Sequence, residues 1–141
     1  PGRNLNYSLA AVRNWYQENQ QWYHRINGGK APVEFWWNDE GETDYFTFHW
    51  WNVAEWTGSK IVNPLKRFFT INRSFSPGMQ RLGGVTVWTG DIGVSYDELA
   101  KQGAYLVNWV MAGIPYITCD TGGFKGPDDP PDLLVRWYQL P

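Results

Sequence analysis

The sequence predicts an α/β fold with a parallel sheet and crossover helices, and three observations predict it. Short apolar runs alternate with helical periods along the chain. The runs are apolar over their whole length, as strands buried on both faces are. Three of the four runs end in an acidic residue, Asp39, Asp91 or Asp120, and Arg73 follows the remaining one. In a parallel fold, strand ends of one polarity gather at one mouth, where ligands bind.

The elements follow in order. Residues 8–26 read as a helix: Ser8 offers an N-cap, Leu9, Val12, Trp15, Tyr16, Tyr23 and Ile26 recur at helical spacing, and Asn27-Gly28-Gly29 ends it. Val33 to Asn38 is the first strand, and a polar stretch from Asp39 to Asp44 follows at once. Phe46 to Trp56 is a ring-rich helix expected to close at Gly58. Arg67 to Asn72 is the second strand, and Arg73 to Gly84 is a loop rich in Ser, Pro and Gly. Val85 to Thr89 is the third strand, running into Gly90-Asp91. Tyr96 to Ala112 is an amphipathic helix whose Leu99, Gly103, Leu106, Val107 and Val110 share a face, with Gly113 as the stop. Ile114 to Cys119 is the fourth strand, leading to Asp120-Thr121-Gly122-Gly123, and Pro130 to Leu140 is the last helix.

The chain has 141 residues, enough for one sizeable core. A net charge of -2 gives no positive field to gather nucleic acid or acidic lipid, so neither is an expected partner. Ten residues are Trp and 18% are aromatic. So many rings need either a large core or a surface that stacks on flat partners such as sugars. Cys119 is the only cysteine, so no intrachain disulfide forms. No apolar run reaches membrane-spanning length, and no segment reads as a signal peptide. The chain opens at Pro1-Gly2-Arg3 and closes after Leu140-Pro141, and both ends read as cuts in a longer protein. No Gly-x-Gly-x-x-Gly, Gly-x-Ser-x-Gly or metal-ligand spacing is present, so no cofactor or metal is expected. His24 and His49 read as structural, and Asp128, Asp129 and Asp132 as favouring the positive end of the last helix.

Cleaving a glycosidic bond takes two carboxyl groups, one attacking the anomeric carbon or activating water, the other protonating the leaving oxygen. Asp39 and Asp91 stand 52 positions apart (91 − 39), on strands separated by one other. Spacing alone leaves a second reading open, since strand-end Asp residues also cap helices and shape turns. Arg73 either holds a hydroxyl or carboxylate or makes a surface salt bridge.

Against this background the motifs resemble glycoside hydrolase family 31. Trp37-Asn38-Asp39-Glu40-Gly41-Glu42 is similar to that family's nucleophile segment. Arg73-Ser74, Gly78, Gln80-Arg81 and Trp88-Thr89-Gly90-Asp91 resemble its acid/base region. Cys119-Asp120-Thr121-Gly122-Gly123-Phe124 resembles a later strand end, and Leu133, Arg136, Trp137 and Gln139 match the helix after it. The resemblance runs from about Pro32 to the C-terminus.

It implies part of a (β/α)8 TIM barrel, roughly four strands with their helices, over residues 1–141, truncated at both ends. It implies a retaining α-glycoside hydrolase with Asp39 as nucleophile and Asp91 as acid/base, acting on an oligosaccharide or α-glycoside. Arg73, Trp88, Asp120 and Phe124 match positions lining the sugar site, and Trp37 a ring beneath it. Asp91 would sit in a dry, ring-lined spot with Trp88 nearby, and Arg73 would help keep Asp39 ionised. Glu40 and Gly41 stand where many α-glucosidases carry Met and Asn, and the Gly41-Glu42 ending is closer to α-xylosidase-like members. With about half a barrel covered, the chain alone is expected to be inactive and poorly soluble. A transglycosylase of the same family, an inactive fragment and a sugar-binding module are the alternatives.

Overall fold

The computed structural model describes residues 5–26, 33–41, 44–127 and 130–140, in two compact units, 1–85 and 86–141. The elements are α1 (Ala10–His24), β1 (Trp36–Asn38), α2 (Thr47–Val62), β2 (Thr70–Asn72), a 3-10 turn (Met79–Leu82), β3 (Val85–Trp88), α3 (Tyr96–Met111), β4 (Ile117–Thr118) and α4 (Pro131–Trp137).

In the first unit β1 and β2 pair in parallel, Trp36 beside Thr70, Trp37 beside Ile71 and Asn38 beside Asn72. Helices α1 and α2 pack together, and Phe48, Phe68, Met79 and Val85 form the apolar core, with Trp51, Trp56, Phe75 and Leu82 against it. Two helix boundaries differ from expectation. Ser8 does not cap α1: its hydroxyl donates to Asn6 Oδ1 at 2.6 Å, and the helix starts after Leu9 with no side-chain cap. Arg13 instead ties the lead-in down, donating to the Tyr7 and Ser8 carbonyls at 2.7 and 2.6 Å while lying over the Trp50 ring. The expected stop at Asn27-Gly28-Gly29 lies outside the described residues.

Gly58 does not end α2, which continues to Val62. A Cβ at Gly58 would stand 2.7 Å from Gln20 Oε1 of α1, so the glycine serves a close approach of two helices and not a turn. Close packing outweighs the roughly 1 kcal/mol that glycine costs a helix interior. The first two strands are also shorter than the apolar runs: only Trp36–Asn38 and Thr70–Asn72 pair.

In the second unit β3 and β4 pair in parallel, Val87 beside Ile117 and Trp88 beside Thr118. Every residue of β3 is buried, as its continuous apolar run requires. Ile92, Cys119, Leu133 and Trp137 form a second core, with Val94, Leu99 and Leu140 against it. Helix α3 occupies its expected span, and Ser95 caps it by accepting from the Glu98 amide at 3.1 Å. Its shared apolar face is only partly used: Leu99 packs on the core, while Val107 is 62% and Val110 50% exposed. Among the described residues no helix is long and apolar enough to cross a membrane.

Candidate active site

Asp39 leaves β1 one residue beyond its last pair, and Arg73 leaves β2 at the matching place. The register therefore sets them side by side. The Arg73 amide donates to the Asn38 carbonyl at 3.0 Å, extending the ladder to the point where both side chains emerge. Arg73 Nε then pairs with Asp39 Oδ1, the two side chains being 22% and 38% exposed. The amide of Glu40 donates to the same oxygen at 3.0 Å. Glu40 has φ 53, the left-handed region that side-chain-bearing residues seldom adopt, so the chain turns sharply just after Asp39. Two donors, one of them charged, thus fix the position of that oxygen.

Beneath this pair lies a floor of polar side chains. Asn38, Asn52, Glu55, Thr70 and Asn72 are each no more than 2% exposed. Asn38 Nδ2 donates to Glu55 Oε2 at 2.8 Å and to Asn72 Oδ1 at 3.0 Å. Asn52 Nδ2 donates to Asn72 Oδ1 at 2.6 Å, Thr70 Oγ1 to Asn52 Oδ1 at 2.7 Å, and Asn72 Nδ2 to Thr70 Oγ1 at 3.0 Å. The Tyr16 hydroxyl, from α1, donates to Glu55 Oε1 at 2.9 Å. Burial pushes Glu55 up to about 8, and the bonds from Asn38 and Tyr16 hold it back from rising further. Burial first, and Glu55 second, also push the phenols of Tyr7 and Tyr16 upward, so both stay neutral.

A cavity of about 370 Å³ opens above α1, walled by Tyr7, Trp15, Tyr16, Tyr23, Trp36 and Trp51, with Asn19, Gln20, Asp39 and Glu40 also lining it. Tyr7 stacks on Trp51 at 5.2 Å between ring centroids. Gly41 lies against Trp51, where a Cβ would meet the ring at 2.8 Å. That contact gives a physical reason for glycine here in place of the Asn of many α-glucosidases. Trp37, expected beneath the sugar site, is 67% exposed.

In the second unit the segment carrying Asp91 is fastened through its backbone. The amides of Phe124 and Lys125 both donate to the Ile92 carbonyl, at 2.8 and 2.9 Å, and the Val94 amide donates to the Lys125 carbonyl at 3.0 Å. Gly123 permits this: its φ is +87 and a Cβ would stand 2.7 Å from the Gly93 carbonyl oxygen. The clasp brings Lys125 Nζ to 3.2 Å from Asp91 Oδ2. A cation thus stands beside Asp91. Trp88, in β3, is 5% exposed. Asp120 is half-buried, its backbone carbonyl accepts from the Gly123 amide at 2.9 Å and so turns the chain after β4, and Phe124 beyond it is 63% exposed.

Within its own unit, then, the structure joins Asp39 to Arg73, and it sets Asp91, Asp120 and Phe124 on two clasped segments. Glu55, the buried amides and Lys125 escaped the sequence reading. Glu55 sits in a run read only for its rings. Lys125 carries no motif, and only pairing of the two segments reveals its neighbour. Among the described residues no group of three His, Cys, Asp or Glu could hold a metal ion.

The sequence profile described as Glycosyl hydrolases family 31 TIM-barrel domain matches residues 2–141. Neutral alpha-glucosidase AB of Mus musculus is 39% identical over 77 residues, covering 54% of this chain and 8% of that protein. Neutral alpha-glucosidase C of Mus musculus is 29% identical over 161 aligned positions, covering 96% of this chain and 17% of that protein. The crystal structure of a GH31 alpha-xylosidase from a soil metagenome, complexed with xylose, superposes with a TM-score of 0.81 at 25% identity. It covers 96% of this chain and 23% of that one. A Flavobacterium johnsoniae GH31 dextranase complexed with glucose gives a TM-score of 0.80 at 22% identity, over 96% of this chain and 20% of its own, and speaks to the fold alone. The chain thus spans less than a quarter of the length of these relatives, and its strands and helices are part of a (β/α)8 barrel.

Proposed function

This chain belongs to glycoside hydrolase family 31, and from that premise we propose that it carries the two catalytic carboxyls of a retaining α-glycosidase. Asp39 is the nucleophile. The observation that carries the reading is the clamp on Asp39 Oδ1 by the Arg73 guanidinium and the Glu40 amide, at the edge of a ring-walled cavity. One oxygen is held by donors, which orients the other for attack on an anomeric carbon.

In the first step a bond forms from Asp39 to that carbon as the bond to the leaving oxygen breaks, and Asp91 gives that oxygen its proton. In the second, Asp91 takes a proton from water, which displaces Asp39 from the sugar. The oxocarbenium-like transition state gains from the nearby carboxylate and from ring faces. Asp120 supplies acceptor oxygens for sugar hydroxyls, and Arg73, Trp37, Trp88 and Phe124 complete the sugar site. The substrate is an α-glucoside or an α-xyloside. With a sugar hydroxyl in place of water, the same covalent step serves transglycosylation.

Asp39→Ala in the full-length protein is expected to abolish hydrolysis. Azide added with an activated aryl α-glycoside should restore turnover and give a glycosyl azide of inverted configuration. Hydrolysis at the wild-type rate in that variant would remove Asp39 from the role.

A further inference from the structure

Glu55 takes no part in the chemistry above, yet it is the only carboxyl among the described residues that is fully buried. Its partners place it directly under the Asp39–Arg73 ion pair. Oε2 accepts from Asn38, whose backbone precedes Asp39 and whose amide also reaches Asn72. Asn72 in turn precedes Arg73. Glu55 thus bonds the β1 exit directly and reaches the β2 exit through Asn38, alongside Asn52 of the same helix, which bonds Asn72.

We infer that Glu55, in its neutral form, is a positioning residue for Asp39: through Asn38 and Asn72 it fixes the strand exits so that Asp39 and Arg73 meet. The inference rests on Asp39 being the nucleophile. In the neutral acid, Oε2 accepts from Asn38 and Oε1 from the Tyr16 hydroxyl. Ionisation would place a charge in a pocket closed by α1, α2 and both strands. The titratable groups facing it are Tyr7, just before α1, and Tyr16 on α1, both held neutral. From β1 and β2 it faces amides. A proton leaving near pH 8 therefore has no nearby base to receive it and goes to solvent, and the charge it leaves behind loosens the floor under Asp39.

The consequence can be separated from proton donation by Asp91. A 5-fluoro α-glycosyl fluoride glycosylates a carboxylate nucleophile as the carbon–fluorine bond breaks, and fluoride leaves without a proton. Its labelling rate thus reports the nucleophile and not the acid. In the full-length protein, labelling of Asp39, located by peptide mass spectrometry, is expected to fall as pH rises through about 8. Glu55→Gln keeps the shape and carries no titrating proton: its amide oxygen accepts from Asn38, and the Tyr16 bond is reversed, with the NH2 donating to the phenol oxygen. It should label within about two-fold of wild type at pH 6–7 and stay flat to about pH 9. Tyr16→Phe removes a bond that favours the charged form and should move the fall upward in pH. Glu55→Leu should slow labelling more than about ten-fold while a competitive sugar inhibitor still binds within about three-fold.

A wild-type profile flat to pH 9, a Glu55→Gln profile with the wild-type fall, or Glu55→Leu labelling at the wild-type rate would each overturn the inference. Should Glu55→Leu not fold, the profiles of the Gln and Phe variants decide. Labelling of a residue other than Asp39 would instead overturn the assignment of the nucleophile.

Discussion

The two candidate carboxyls are held in opposite ways. Asp39 stands on a floor of buried side chains, Asn38, Asn52, Glu55, Thr70 and Asn72, each bonded to another. Asp91 stands on a clasp of backbone bonds between residues 92–94 and 124–125, with one ion pair at the surface. A side-chain floor depends on the identity of every member, because a buried polar atom that loses its partner keeps its desolvation cost. A backbone clasp depends on the path of the chain and tolerates most side chains. The first region is therefore sensitive to sequence, and the second to conformation.

Four measurements sharpen or break that contrast. The largest effect expected is the pH dependence of the floor. Glu55 holds its proton in the folded chain up to about 8, whereas its ordinary value is 4.5. Between those values the folded state binds a proton that the unfolded state has lost, so stability falls as pH rises across the window. The loss is on the order of 4 kcal/mol. Urea unfolding of the full-length protein at pH 5 and pH 8 should show it, and Glu55→Gln should flatten the difference. Next comes Asn72→Ala, which strips an acceptor from both Asn38 and Asn52 and is expected to cost about 3 kcal/mol. An unchanged denaturation midpoint would mean the floor is not cooperative.

Gly123→Ala tests the clasp through its path: the left-handed φ and the contact with the Gly93 carbonyl predict a loss of about 2 kcal/mol. The smallest effect belongs to Lys125→Ala. Its side chain is 68% exposed, so the ion pair should contribute under about 0.5 kcal/mol in the same unfolding experiment. A larger loss would show that the Asp91 region also leans on side chains.

The parallel strands and their acidic ends were legible because each strand lies in a largely apolar run that stops visibly at Asp39, Asp91 or Asp120 or before Arg73, although only β3 is buried at every residue. The span of α3 was legible from a clear apolar period closed by Gly113, while its Ser95 cap emerged only in the structure. Gly58 misled because local propensity reads glycine as a stop, whereas here the neighbouring helix needs the space. Ser8 misled because Asn6 captures its hydroxyl first. Glu55 could not be read at all: a carboxyl inside a Trp-rich helix looks like its solvent face until long-range pairing with Asn38, 17 positions away, is known.

The sharp bend at Glu40 bears on redesign of this scaffold. Position 40 accepts glycine or asparagine more readily than a β-branched side chain, because of the hand of its backbone. Position 41 has no room for any substituent while the Trp51 indole stays in place. Grafting a Met-Asn pair from an α-glucosidase onto this loop would therefore fail as a two-residue exchange, and only a swap that also trims the indole has space to succeed.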